Sequence, residues 1–359
     1  MTQTRAAVCR VFKDPLVIET LELAPPNVGE VEVALKACAI CHSDIAFADG
    51  AWGGDLPAVY GHEAAGVVTA LGAGVSGHAI GDRVIVTLIK SCGTCEACGV
   101  GLPAICSGSE AATALTTSDG EAVGRAMYCG AFSERVVVGA SQIAGIPDDM
   151  PFDVASLLSC GVITGVGAVV NAAKLKPGEN AVVIGAGGVG LNAIQGARIA
   201  GAGRIIAVDL VADKLDDAMD FGATDGVLAS AGDPAAAVKR LLGKGADAVF
   251  VAVGATKAFN TAPDYLAPGG RVVLVGIPPA DELATYVPAN VSSAGQSMIG
   301  TKMGDTVLSR DIPWLISLYQ QGRLKLDELI SARWTLDQIN EAIADTKTGA
   351  ARRNVIVFE

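Results

Sequence analysis

Two textures of apolar and polar residues divide the chain. From Arg5 to about Gly161, alternating stretches such as Val31, Val33 and Leu35 and short apolar runs such as Val84-Ile85-Val86 and Val136-Val137-Val138 are separated by Gly and Pro. A period of two puts one face of a strand in a core, so this part predicts a β-rich barrel or sandwich. After Pro177-Gly178 short apolar runs alternate with helical segments, the pattern of β-α-β units stacked into a parallel sheet. Strands are predicted from Ala181 to Ile184, Arg204 to Val208, Gly226 to Leu228, Ala248 to Val253 and Arg271 to Val275. The central ones are almost purely Val, Ile, Ala or Leu because both faces of such a sheet are covered. From Ser309 onward two amphipathic segments, one with Ile312, Leu315, Ile316 and Tyr319 and the other with Ile339 and Ile343, lead to a closing strand from Val355 to Phe358. This tail is expected to return to the first domain. The expected fold class is α/β, with 1–161 and 303–359 in one domain and 162–302 in the other.

Composition bounds the function. The 359 residues suffice for about two domains, each with a core of its own. The apolar content of 51% comes from Ala, Val, Ile and Leu and is interrupted every few residues by Gly, Asp or Pro, so no run long enough for a bilayer occurs and a soluble protein is expected. The N-terminus alternates basic and apolar residues without the apolar core of a secretory signal, which makes the cytoplasm the expected location. A net charge of −12 counts against nucleic acid and anionic lipid, since both demand a basic face. Nine cysteines in a reducing compartment are more often metal ligands or small buried hydrophobes than bridges.

Four of them, Cys92, Cys95, Cys98 and Cys106, are close enough in sequence to converge on one ion, and they read as a closed tetrahedral zinc site. Ser91, Gly93, Gly99, Gly101, Ser107 and Gly108 let the backbone fold around a metal. Two disulfides are the rival arrangement, and nothing in the chain points to an oxidising compartment. Further on, Gly185-Ala186-Gly187-Gly188-Val189-Gly190 follows an apolar run and opens a predicted helix through Ala193 and Ala197, the setting of a phosphate-binding turn. There Gly185 permits the tight turn, Gly187 the approach of a pyrophosphate, and Gly190 close packing of helix on strand. Asp209 ends the next strand, 19 positions after Gly190, where a carboxylate binds both ribose hydroxyls of NAD and repels a 2′-phosphate. A merely flexible turn and a solvated loop acid are the plain alternatives. Lys214, just beyond, either reaches the ribose or is an ordinary exposed helix lysine.

A second set of ligand types is dispersed: Cys41 in Cys-His-Ser-Asp, His62 in Gly-His-Glu and Cys160 in Ser-Cys-Gly-Val. Spacing alone does not join them, and each has a plain reading, Cys160 as a small buried residue and His62 as the partner of a local hydrogen bond. The other histidines are His42 and His78, the latter between Gly77 and Ala79 in an expected surface loop.

Gly-His-Glu, the four-cysteine lobe with spacings of three, three and eight, and Gly-Ala-Gly-Gly-Val-Gly occur in an order that resembles the medium-chain zinc-dependent alcohol dehydrogenases over nearly the whole chain. The resemblance implies a β-rich GroES-like catalytic domain, a Rossmann doubly wound parallel-sheet cofactor domain and an active site in the cleft between them. It implies two zinc ions per chain, a catalytic one on Cys41, His62 and Cys160 with one position open and a structural one on Cys92, Cys95, Cys98 and Cys106, with NAD as cofactor. Asp44 and Glu63 resemble the carboxylates that orient the ligands, Ser43 the hydroxyl that bonds the substrate oxygen, and Thr164 the residue behind the nicotinamide. His42 and Arg353 resemble basic contacts to the pyrophosphate. Trp52, Leu88 and Ile277 would line the substrate pocket, Ile277 also touching the cofactor. The implied activity is oxidation of a small-molecule alcohol to the aldehyde, or the reverse, with zinc lowering the proton affinity of the alcohol oxygen so that hydride can leave for the nicotinamide. Family members are dimers or tetramers joined through the edge of the cofactor domain, which makes a homodimer or homotetramer the expected assembly and Ala289 to Lys302 its expected interface.

Two departures narrow the chemistry. Many members carry a histidine five residues after the first zinc cysteine as the outer end of a proton relay, and this chain has Ala46, so the proton must leave through solvent or another group. Members acting on glutathione adducts carry an acidic residue eleven positions after that cysteine and an arginine four after the last lobe cysteine; Trp52 and Glu110 stand there. Glutathione adducts are thus disfavoured, and a pocket edged by Trp52 and Leu88 suits uncharged primary alcohols, aromatic ones included. The alternatives are a thiol-adduct formaldehyde dehydrogenase, since Asp311 to Leu329 resembles bacterial enzymes acting on other thiol adducts, a polyol dehydrogenase, against which Cys160 weighs, a non-catalytic NAD-binding protein, and a thiol sensor built on Cys38-Ala-Ile-Cys41.

Overall fold

The computed structural model describes residues 1–108 and 114–359, so Glu110 lies outside the described residues. The chain forms two compact units, Met1–Cys160 with Val307–Gln321 and Leu326–Glu359, and Gly161–Thr306 with Gly322–Lys325.

In the first unit, Thr2–Cys9 pairs antiparallel with Val17–Leu23 within a five-stranded sheet. The ten-residue strand Glu30–Ala39 organises a seven-stranded sheet. One edge pairs antiparallel with Glu63–Leu71, while the other is shared by Arg135–Gly139 and the tail strand Arg353–Val357. The alternation in the sequence is what puts Val31, Val33 and Leu35 in the core with Phe132 and Ile356. Burying side chains of this size stabilises by about 1.5–3 kcal/mol each. The register with Glu63–Leu71 shifts twice, between Glu32 and Val33 and between Leu35 and Ala37, and bulges of this kind re-aim the strand end that follows. That end faces Glu63 through Ala39.

The second unit is built on six parallel strands in the spatial order Asp225–Leu228, Ile205–Asp209, Ala181–Ile184, Ala246–Val251, Leu266–Leu274, Ser297–Gly300. The sequence runs outward in both directions from Ala181–Ile184, which is the doubly wound Rossmann order. Val182, Ile206 and Val249 are completely buried, as the near-continuous apolar runs require. Five of the strands lie within a few residues of those expected from the sequence. The sixth, Ser297–Gly300, falls inside the segment read only as an interface; it is four residues long, half-buried or exposed throughout, and forms the sheet edge. Among the described residues no single helix is long and apolar enough to cross a membrane.

Candidate metal centres and dinucleotide turn

Three segments distant in sequence end at one buried place in the first unit. Cys41 follows the strand Glu30–Ala39 and caps the helix His42–Ala48. His62 precedes the paired strand Glu63–Leu71, and Cys160 follows the turn Leu157–Ser159. Ligand-type atoms of Cys41, His62, Glu63 and Cys160 all lie within 4.8 Å of one another. Asp44 ties the first two segments: its Oδ2 accepts from the Cys41 amide at 3.0 Å, and its Oδ1 from the Gly61 amide and His62 Nδ1, each at 2.9 Å. An ionised carboxylate only accepts, so Nδ1 carries a proton and Nε2 is the nitrogen left to take a metal, which would displace any proton there. That Nε2 is buried and has no hydrogen-bond partner. A buried ring nitrogen left without a donor in a cluster with two thiols is a group waiting for a metal, and two thiolates with one neutral imidazole are a donor set that zinc takes with a position to spare.

The charges are distributed within the cluster. The S–H of Cys160, donated to Cys41, holds the Cys41 thiol well below its ordinary range against the opposing effect of burial, with His62 acting in the same direction. The same bond, together with burial, pushes Cys160 up. Burial pulls His62 down, but the Asp44 carboxylate and Cys41 outweigh it and hold the ring above its ordinary value. Burial pushes Glu63 up to about 8 although the Arg353 guanidinium opposes it. Arg353 Nη2 stands 3.6 Å from Glu63 Oε1, with the arginine side chain 5% exposed. The structure therefore places Arg353, read from the resemblance as a pyrophosphate contact, against Glu63.

The helix His42–Ala48 carries further candidates. His42 is exposed and Ser43 half-buried in its first turn, with Ala46 one turn on. Trp52 is half-buried and meets Phe47 edge-on, ring centroids 5.0 Å apart at 88°; Phe47 in turn stacks on buried Tyr60 at 6.1 Å and 19°. Leu88 is half-buried and packs on the core of this unit.

The nine cysteines are thiols and not disulfides. The sulfurs of Cys92, Cys95, Cys98 and Cys106 also gather within 4.8 Å. Gly93, with φ of 73°, makes the turn that returns the Cys95 amide to Cys92 Sγ at 3.3 Å, and the amides of Cys92 and Gly108 point at Cys106 Sγ at 3.4 and 3.3 Å. Amide donors favour thiolates: those of Cys98 and Ser107 hold Cys95 down to about 5, and those of Thr94 and Cys95, with the Thr94 hydroxyl, hold Cys92 down to about 7. Four such sulfurs match a closed tetrahedral zinc site.

In the second unit the glycines of the turn divide their work. A Cβ on Gly185, whose φ is 94°, would stand 2.2 Å from Val253 Cγ1, and one on Gly190 would stand 1.7 Å from the Gly185 carbonyl. Gly187 precedes the helix Gly188–Ile199, and a Cβ there would meet nothing within 4 Å. Open space at the start of a helix is what an anion site there requires. The Asp209 carboxylate is fixed at this turn, Oδ2 accepting from the Ala186 amide at 2.8 Å and Oδ1 from the Val211 amide at 3.1 Å. Lys214 is half-buried in the helix Ala212–Asp220. Thr164 is buried and donates its hydroxyl to Met303 Sδ at 3.7 Å, whereas Ile277 is 62% exposed in this unit.

The residues 27–148 match the alcohol dehydrogenase GroES-like domain, and 188–321 match the zinc-binding dehydrogenase domain. The NDMA-dependent alcohol dehydrogenase of Amycolatopsis methanolica is 36% identical over 373 residues, covering 99% of each chain. The chain belongs to the medium-chain zinc-dependent alcohol dehydrogenase family. Among solved structures, a zinc-binding-domain alcohol dehydrogenase from Burkholderia ambifaria superposes with a TM-score of 0.95 at 32% identity, covering 100% of this chain and 99% of the other. Benzyl alcohol dehydrogenase from Acinetobacter calcoaceticus does so with 0.93 at 30% identity and full coverage of both. Within this alcohol dehydrogenase, sequence reasoning passed over three features: the Glu63–Arg353 pair, the row Trp52, Phe47, Tyr60, and a turn in which Met303, Gly304 and Asp305 all have positive φ. Only the last leaves a trace in the sequence, in Gly304, where a Cβ would stand 2.3 Å from the Ile163 carbonyl.

Proposed function

We propose that the protein is a zinc- and NAD-dependent dehydrogenase that oxidises an uncharged primary alcohol, aromatic ones included, to the aldehyde, or runs the reverse. The observation that carries this reading is the buried, donorless Nε2 of His62 clustered with the thiols of Cys41 and Cys160. The likeness to alcohol dehydrogenases along the full chain supports the reaction class. Zinc on Cys41, His62 and Cys160 supplies Lewis acidity, and NAD supplies the hydride acceptor. Asp44 fixes the His62 tautomer and the amide of Cys41 together. Two thiolates balance a divalent ion, and the Arg353 guanidinium beside Glu63 adds no negative charge, so one anionic substrate oxygen is tolerated. Ser43 Oγ takes the substrate hydroxyl proton and passes it to solvent, because Ala46 offers no relay. The turn Gly185–Gly190 cradles the pyrophosphate, with His42 as a basic contact; Asp209, assisted by Lys214, holds the ribose; Thr164 and Ile277 flank the nicotinamide; Trp52 and Leu88 line the substrate side. The second zinc sits on Cys92, Cys95, Cys98 and Cys106, and the exposed edge Ser297–Gly300 supports assembly as a homodimer or homotetramer.

The test is metal content together with reduction of NAD and NADP by a panel of alcohols. Two zinc ions per chain, NAD preferred, and loss of one zinc with all turnover in Cys160→Ser are expected. One zinc per chain with dinucleotide binding and no turnover would overturn the enzyme reading. Because one relative is named for dependence on NDMA, the panel includes NDMA as acceptor. Turnover with NDMA and none with NAD would overturn free NAD as the acceptor and leave alcohol oxidation standing.

A further inference from the structure

Trp52, Phe47 and Tyr60 form a row of three rings in the first unit. Tyr60, two residues before His62, is buried, and its hydroxyl donates to the Phe47 carbonyl at 3.4 Å. Phe47 lies one helical turn beyond Ser43, so the two share a face of the helix His42–Ala48. Trp52 comes after that helix and presents an edge-to-face contact to Phe47, the geometry that aromatic quadrupoles favour. The three rings therefore run from a buried anchor at Tyr60, through Phe47, to a half-buried indole at Trp52. An indole held at one end of a row is a fixed flat surface; without its neighbour it is a side chain with two free torsions. We propose that Phe47 is a positioning residue that locks the Trp52 ring as a rigid aromatic wall, and that this wall makes the enzyme prefer aromatic over short aliphatic primary alcohols. The proposal rests on the dehydrogenase reading above, in which Trp52 lines the substrate side.

The experiment measures kcat and KM for benzyl alcohol and for 1-propanol in the zinc-loaded parent, Phe47→Leu, Phe47→Tyr, Trp52→Leu and the Phe47→Leu/Trp52→Leu double variant. Phe47→Leu is expected to raise the KM for benzyl alcohol about 2- to 10-fold, the range one edge-to-face pair covers, with kcat and the KM for 1-propanol unchanged. Phe47→Tyr, which keeps the ring, should retain parental values. In the Trp52→Leu background the Phe47 change should have no further effect on the benzyl-to-propyl ratio. If Trp52→Leu lowers that ratio and Phe47→Leu leaves it alone, the positioning role of Phe47 is wrong while the dehydrogenase reading stands. An unchanged ratio in Trp52→Leu overturns the wall itself, and absence of turnover with every alcohol in the parent overturns both readings. Equal losses with both alcohols in Phe47→Leu, with a lowered melting temperature, would reduce Phe47 to core packing and refute the proposal.

Discussion

Asp44→Asn isolates the device on which the cluster of Cys41, His62 and Cys160 depends. The carboxylate is 1% exposed and accepts three hydrogen bonds, one on Oδ2 from the Cys41 amide and two on Oδ1 from the Gly61 amide and His62 Nδ1. An asparagine has one accepting oxygen, and each of its two orientations fails at a definite atom. If its oxygen takes the place of Oδ1, the NH2 group confronts the Cys41 amide, two donors face each other, and the residue before the helix loses its tether. If the amide is flipped, the NH2 confronts Gly61 and His62, the ring must move its proton to Nε2, and the lone pair for zinc is gone. The first orientation loses one charge-assisted bond and orphans a buried donor, about 1–3 kcal/mol for each effect. Changes in residues that orient metal ligands weaken metal binding by about 10- to 100-fold. Titration of zinc against a chromophoric chelator should show a loss in that range for one of two ions, with a lower melting temperature in the zinc-loaded protein. Zinc affinity within about twofold of the parent at both sites would refute the argument that this carboxylate sets the imidazole.

Three further outcomes follow from other parts of the structure. Asp209→Asn keeps one acceptor for the Ala186 or Val211 amide but removes the charge, so KM for NAD should rise and KM for NADP fall; a preference ratio that stays put would count against ribose recognition by this residue. Gly190→Ala pushes a methyl to 1.7 Å from a carbonyl oxygen and should unfold or strongly destabilise the protein, whereas Gly187→Ala meets nothing within 4 Å and should keep its melting temperature while weakening NAD binding; equal melting temperatures for the two would be incompatible with this division. In zinc-stripped protein Glu63, raised by burial from 4.5 to about 8, binds its proton more tightly folded than unfolded, so its contribution to stability is complete below about 4.5 and is lost as pH rises through about 8. Chemical denaturation across that window should show the slope in the stripped parent and its loss in Glu63→Gln.

How much of this was legible in the sequence depends on whether the deciding contact is local. The parallel strands were legible because burial on both faces leaves runs such as Ala181-Val182-Val183-Ile184, and Ser297–Gly300 was not, because an edge strand flanked by Ser and Gly carries no such run. The gathering of the four lobe sulfurs was legible because the cysteines lie within a few residues of one another, with Gly93 and Gly108 at the turns around them. By contrast, Cys41, His62 and Cys160 were joined only by resemblance, since their meeting depends on register. Ala39 pairs with Glu63, and the Ser159 hydroxyl donates to the Ala64 carbonyl at 2.9 Å; neither fact is written in a local pattern. The surroundings of Arg353 were not legible for the same reason. Its approach to Glu63 follows from the tail strand lying on Glu30–Ala39, where Val355 pairs with Ala39.

This difference in how the two clusters are built has a physical consequence. The segments bearing Cys41, His62 and Cys160 are fastened to one another by buried bonds that involve no metal: Asp44 to Cys41, Gly61 and His62, Ser159 to Ala64, and the Thr87 hydroxyl to the Ser159 carbonyl at 2.6 Å. Displacing any one ligand breaks at least one such bond and leaves a buried polar group unpaired, at about 1–3 kcal/mol apiece. The three side chains are therefore set by the fold, and an ion entering them would meet a geometry it did not choose, which is the condition for keeping one position open instead of closing the shell. Among the described residues the lobe shows no comparable buried frame. Its sulfurs are half-buried or exposed and are held by their own neighbouring amides, so most of what would fix them relative to one another is the ion itself. A site that the fold builds can be open and reactive, and a site that the metal builds is closed and structural.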